Sequence, residues 1–268
     1  MQDMRKILLF IFFLISPFFA YAGEIVIQST TSTKNSGFYD FIISKVKKSL
    51  RIDVKVVAVG TGQAISNAKR CDGDVLLVHD IEAERDFVKE GYGLERYNLM
   101  YNDFIFVGPS LDNLRLRNKK DTIDVLRTIY DSKVIFLSRS DNSGTHNKEK
   151  KLWKSAGLEP LKYSGKWYLE TGLGMGATLN IAAGKNAYTI TDRATWISFK
   201  NKSDLQILFD DDPQLFNQYG IIVVNPARCP NVNIVDANRF LRWIISDEGK
   251  STISSFKIGN QQLFFPSK

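Results

Sequence analysis

Val134-Ile135-Phe136-Leu137-Ser138-Arg139-Ser140-Asp141-Asn142-Ser143-Gly144-Thr145-His146 passes from an apolar run into a donor-rich loop that holds one arginine. Residues 134–137 have the length and composition of a buried strand. Residues 148–157 read as a helix, so the loop joins a strand to a helix. A helix start offers unpaired backbone N–H groups and the positive end of a dipole. Ser143 and Gly144 are small enough to let an anion approach those groups. Arg139 adds a permanent charge and a planar fork of donors. The residues fit an oxyanion cradle; they also fit an ordinary capped turn. Asp141 reads either as a turn residue or as the ion-pair partner that aims the guanidinium.

The same unit recurs outward along the chain. Residues 24–28 read as a strand that runs into Ser29-Thr30-Thr31-Ser32-Thr33. A helix follows, with Phe38, Phe41, Ile42, Val46 and Leu50 near helical spacing. A second strand, 52–59, ends in Gly60-Thr61-Gly62-Gln63-Ala64, and a third, 74–78, ends in His79-Asp80 before a helix over 81–90. This βαβαβ order predicts an α/β fold with mostly parallel sheet and flanking helices. Further strands are expected at 99–108, 166–170, 187–191 and 206–209. Helices are expected at 122–130, 178–184, 237–245 and 248–256. Tyr101 to Pro109 is mirrored by Tyr219 to Pro226, each an apolar strand that ends at a proline. Four strand-to-helix loops, 29–33, 60–64, 138–146 and 172–178, carry the same small and hydroxyl residues. Ligands of open α/β sheets bind outside the carboxyl ends of the strands. Two such loops from each half of the chain favour the anion over the plain turn.

The chain has 268 residues and a net charge of +7. Its first 22 residues read as a cleaved signal peptide: Arg5 and Lys6, an apolar run over 7–19 broken by Ser16 and Pro17, then Ala20-Tyr21-Ala22. The apolar run is shorter than the roughly 20 residues of a spanning helix. An exported, soluble protein is expected, which disfavours nucleic acid as the basic chain's partner. Lys148, Lys150, Lys151 and Lys154 share one predicted helix and read as a solvated face. Two cysteines, Cys71 and Cys229, permit one disulfide in an oxidising compartment. The two histidines, His79 and His146, form no metal-ligand cluster with them. His79, at a strand end, is a candidate ligand contact; His146 reads as an exposed helix-start residue. Gly172-x-Gly174-x-Gly176 lacks the dinucleotide spacing and serves either tight turns or ligand approach. Ser143, His146 and Asp141 are the residue types of a triad, but they crowd into one turn. Asp210, Asp211 and Asp212 read as a solvated turn, and Asp103 and Asp192 as structural.

Taken together, Thr30-Thr31-Ser32-Thr33, Val57 to Ala64, Asp74 to His79, Met100 to Phe104, Ser143 to His146, Gly174 to Asn180 and Gln262 to Pro266 resemble a known family. They are similar to the tungstate-binding branch of the type II periplasmic substrate-binding proteins of ABC importers. The resemblance implies two α/β lobes joined by two hinge crossings, near 101–103 and 218–220. Lobe I would take 23–102 and 219–268, and lobe II 103–218. It implies capture of the tungstate oxyanion in the periplasm by a monomer, for delivery to an inner-membrane permease, without catalysis and without a cofactor. Carried over by motif, Thr30, Thr31, Ser32 and Thr61 would donate from one lobe. Arg139, Ser143, Thr145 and the backbone near Gly176 and Ala177 would donate from the other, with Asp141 orienting Arg139. The Arg-x-Asp-x-Ser-Gly-Thr spacing is also similar to that of phosphate-binding proteins. Molybdate, phosphate and sulfate remain alternatives within the fold, and a secreted serine hydrolase using Ser143 lies outside it. Asp80 stands where tungstate binders more often show alanine; it reads as the start of the next helix. The implied topology sets the strand at 221–225 antiparallel to 74–78, which brings Cys71 and Cys229 together as a disulfide.

Overall fold

The computed structural model describes residues 23–267. The leader read over 1–22 lies outside them. The chain runs β1 (Gly23–Thr30), α1 (Thr31–Asn35), α2 (Phe38–Leu50), β2 (Ile52–Val59), α3 (Thr61–Lys69), β3 (Val75–Val78), α4 (Ile81–Lys89) and the long β4 (Gly93–Pro109). It continues with α5 (Thr122–Ser132), β5 (Phe136–Ser138), α6 (Gly144–Ser155), β6 (Tyr168–Glu170), α7 (Met175–Lys185), β7 (Tyr188–Asp192), α8 (Arg193–Ser198) and β8 (Leu205–Phe209). β9 (Phe216–Val224), α9 (Ile234–Ile245) and α10 (Asp247–Ser255) follow. Among the described residues no helix is long and apolar enough to cross a membrane.

The main strands lie in the order β2-β1-β3-β9-β4-β7-β5-β6. β1 pairs in parallel with β2 and β3, and β5 pairs in parallel with β6 and β7. β4 and β9, the mirrored strands, are antiparallel neighbours. β4 serves both halves: up to Asp103 it pairs with β9, and from Phe104 with β7. Apolar residues alternate between the two faces of each half, as the pleat requires. Ile221 and Val223 enter one core, Ile222 and Val224 the other. Beyond Asp103, Phe104 and Phe106 face one core while Ile105 and Val107 face a second. Each half is therefore a sheet covered on both sides, which makes its carboxyl edge the open place for loops.

Some boundaries differ from the expectation for physical reasons. α6 begins at Gly144 rather than 148, because Ser143 caps it: its Oγ accepts the His146 N–H at 3.3 Å. β4 begins at Gly93 rather than 99, since Glu95, Arg96 and Asn98 are polar residues on a paired segment that shows no apolar run. β6 keeps only the last three residues of 166–170. Cys71 and Cys229 form a disulfide with Cα atoms 5.2 Å apart. β3 and β9 are antiparallel, with Val75 opposite Val223, and the two cysteines lie just beyond those ends.

Candidate functional site

The register aligns the donor-rich loops. Thr30 pairs with Val59 and Ser29 with Leu77, so loops 30–33, 60–61 and 78–80 leave one edge together. Leu137 is opposite both Leu169 and Thr189, which does the same for loops 139–143, 171–174 and 192–193. The two edges meet. A Cβ on Gly144 would lie 2.7 Å from His79 Cε1 and 3.0 Å from Thr61 Oγ1. Only a glycine lets the start of α6 pack this closely on the opposite loops.

Arg139 is 4% exposed. Its terminal nitrogens donate to Asp141 Oδ2 at 2.5 Å and to Thr145 Oγ1 at 3.4 Å, while buried Nε has no protein partner. Asp141 Oδ1 accepts the Ser143 N–H at 3.2 Å. Burial alone would raise the Asp141 carboxyl, but hydrogen bonds from Ser143 and the Arg139 charge outweigh it and hold it below the ordinary carboxylate range. The aspartate thus fixes both the guanidinium and the loop that caps α6.

Across the interface, Thr30 ends β1 and caps α1; its Oγ1 lies 2.7 Å from Thr33 Oγ1 and 3.1 Å from Ser32 Oγ. Thr31 is half-buried beside them. Ser32 Oγ lies 3.2 Å from His79 Nε2. Thr61 opens α3; it is 2% exposed, and its Oγ1 has no protein partner. Thr30, Ser32, Thr61, Arg139, Ser143 and Thr145 are thus gathered through His79 and Gly144. Gly176 and Ala177 sit at the start of α7, half-buried and exposed. Thr178 of the same helix lies 3.0 Å from Thr171 Oγ1, which in turn lies 3.4 Å from the Arg139 carbonyl.

Other residues depart from their sequence reading. His146 is buried rather than exposed, and its Nδ1 accepts the Asn142 N–H at 3.0 Å. Ser143 Oγ receives the His146 backbone N–H, not its ring, so no serine–histidine pair is assembled. The basic side of α6 is not simply solvated. Lys148 donates to the Phe216 carbonyl at 3.2 Å, and Lys151 bridges to Glu82 at 2.6 Å and Asp80 at 3.6 Å. Asp80 caps α4 as read, and its second oxygen lies 3.5 Å from Asn147 Nδ2 of α6. Asp210 is ion-paired with Arg193, which also grips Asp103, and Asp212 accepts the Thr122 N–H. Asp192 caps α8. Among the described residues no group of histidine, cysteine and carboxylates is placed to hold a metal cation.

The network around His79 is what sequence reasoning missed. Its Nδ1 lies 3.1 Å from Asn217 Oδ1, and Asn217 Nδ2 donates to Asn102 Oδ1 at 2.7 Å. Asn102 of β4 and Asn217 of β9 face each other in the antiparallel register, and both are buried; their places in the two segments differ, so the sequence carried no signal for the pair.

Residues 20–248 match the PBP superfamily domain. The chain is 45% identical over 236 residues to the tungstate-binding protein TupA of Peptoclostridium acidaminophilum, covering 87% of this chain and 82% of that protein. The solved tungstate-binding protein TupA of Desulfovibrio alaskensis is 41% identical, with a TM-score of 0.82 over 92% of this chain and 99% of the other. A tungstate ABC transporter structure from Geobacter sulfurreducens is 40% identical, with a TM-score of 0.79 over 87% and 98%.

Proposed function

The chain belongs to the PBP superfamily, among the tungstate-binding proteins, and from that premise we propose how its cleft works. It is a non-enzymatic binding protein that captures tungstate and delivers it to the permease of an ABC importer in the membrane. It acts in the periplasm, as a monomer, with tungstate as cargo and no cofactor. The two lobes comprise 23–102 with 219–268, and 103–218. Thr30, Thr31, Ser32 and Thr61 donate from one side of the cleft. Arg139, Ser143, Thr145 and the α7 backbone at Gly176 and Ala177 donate from the other.

The observation that carries this reading is a pair of buried, unpartnered donors, Arg139 Nε and Thr61 Oγ1, in the one cluster where the two carboxyl edges meet. Buried donors left without a partner cost on the order of 1–3 kcal/mol each, so a site that keeps two is built for an acceptor. The adjacent Asp141 is occupied by Arg139 and the Ser143 N–H. Tungstate, molybdate and sulfate are fully deprotonated near neutral pH and suit such donors. Phosphate near pH 7 keeps a proton, which these donors leave unpaired at a cost of about 1–3 kcal/mol. A thermal-denaturation panel with the four anions tests the proposal. Tungstate should raise Tm most, and phosphate least; equal shifts, or none, would contradict it.

A further inference from the structure

We propose that His79 is a positioning residue that aims the Ser32 hydroxyl at the bound oxyanion, and that the protein takes up one proton on His79 as the anion enters. The inference rests on the oxyanion reading of the cleft and adds to it a proton-linked step. It starts from a chain of side chains that runs from the mirrored strands to the first anion loop. Asn217 Nδ2 donates to Asn102 Oδ1 at 2.7 Å and lies 3.3 Å from the Tyr219 hydroxyl. In this orientation of the Asn217 amide, Oδ1 points at His79 Nδ1, which then carries the proton of the neutral ring. Nε2 is then bare, and Ser32, 3.2 Å away, donates its only proton to it. In that state the Ser32 oxygen faces the cleft with lone pairs, the wrong polarity for an anion. Protonation of Nε2 reverses the bond: the ring donates, Ser32 accepts, and the Ser32 proton is free to turn to the oxyanion. The proton moves from a buffer acid to Nε2, and nothing else changes its covalent bonds.

The surroundings favour that switch only when the dianion is present. His79 is 8% exposed and packs against Tyr219 of β9 with ring centres 4.8 Å apart and the planes tilted by 33°. Burial holds its pKa down, with Arg139 pushing the same way more weakly, while Asp192 from β7, the hydrogen bond to Asn217 of β9 and Asp80 from its own loop push it up. The one guanidinium is already matched by Asp141. A dianion brought beside this set adds two negative charges close to the ring, and charging the imidazole offsets them. The Gly144 backbone packs against Cε1, so the ring cannot swing away when the lobes are together.

Calorimetry of tungstate binding at pH 7.5, in two buffers of different ionisation enthalpy, counts the protons. Tungstate itself is deprotonated at that pH and contributes none. The wild type should take up between about 0.5 and 1 proton per anion, and its affinity should rise severalfold from pH 8 to 6. His79→Gln keeps a donor at the ring's edge but cannot charge; it should bind about tenfold more weakly, with no proton uptake and a flat pH profile. Should His79→Gln fail to fold, the wild-type proton count and the downfield shift of the His79 Cε1 proton on binding decide alone. Tight wild-type binding without proton uptake, or equal uptake in His79→Gln, overturns the His79 proposal and leaves the tungstate assignment standing. No tungstate binding by the wild type overturns both.

Discussion

Arg139 is aimed before any ligand arrives. Asp141 holds one terminal nitrogen, Thr145 accepts from the other, and Nε is left over. Arg139→Ala removes the cluster's guanidinium and its fork, so tungstate affinity should fall by about 100-fold or more, since charged hydrogen bonds contribute about 1.5–3 kcal/mol each. Calorimetry and circular dichroism check it: loss of binding with an intact fold is expected, and a loss under tenfold would remove Arg139 from the site. Gly144 supplies a second test. Alanine suits the first turn of α6 better than glycine as a helix former, yet its Cβ would meet His79 Cε1 at 2.7 Å. Gly144→Ala should keep or raise Tm while weakening tungstate binding at least tenfold, because the two edges can no longer come together. Wild-type affinity in that variant would show that the close approach is not needed. Both residues were legible in the sequence, as a charged loop before a helix. The part played by His79 was not, because a lone histidine at a strand end looks the same whether it contacts ligand, aims a neighbour or fills space.

At the scale of elements, α6 does more than present its start. Its sequence reads as a lysine-rich exposed helix, but Lys151 reaches Glu82 and Asp80 of the opposite half, and Lys148 reaches the Phe216 carbonyl beside the crossing. Such contacts depend on how the halves are placed, which no local pattern encodes. The same helix buries Glu149, which accepts from Ser138 at 2.8 Å, Tyr168 at 2.7 Å and Trp153 at 3.1 Å. Ser138 is the residue before Arg139, so Glu149 pins the strand end from which the arginine departs. Burial pushes its carboxyl up to about 7, against the pull of the three donors. The folded chain therefore holds this proton more tightly than the unfolded chain does. Between about pH 4.5 and 7 it binds more protons, so this group's contribution to stability declines as pH rises through that window. Glu149→Gln cannot ionise, and its Tm should fall less between pH 5 and 8 than that of the wild type. Parallel Tm profiles for the two proteins would show that the carboxyl does not titrate there.

For the whole molecule, the α/β class and the βα units were legible because each strand ends in a visible loop. The likeness of β4 and β9 was legible because Tyr101 to Pro109 and Tyr219 to Pro226 repeat one pattern; that the two strands pair is seen only in the fold. The loop-to-loop contacts that form the cleft were not, since they join residues as distant as Thr61 and Gly144. The Cys71–Cys229 disulfide ties the end of α3 to the turn after β9 across 158 residues. A loop of that length constrains the unfolded chain by on the order of 4–5 kcal/mol. Reduction should lower Tm by roughly 10 °C or more, with tungstate binding retained at room temperature because the bond lies outside the cleft. An unchanged Tm after reduction, checked by thiol titration, would contradict that contribution. The donors of the cleft match a deprotonated tetrahedral dianion. Calorimetric titration of the wild-type protein at pH 7.5 with tungstate, and with phosphate as competitor, measures this directly. Tungstate should bind at one site per chain and at least tenfold more tightly than phosphate; tungstate binding no tighter than phosphate would contradict the assignment.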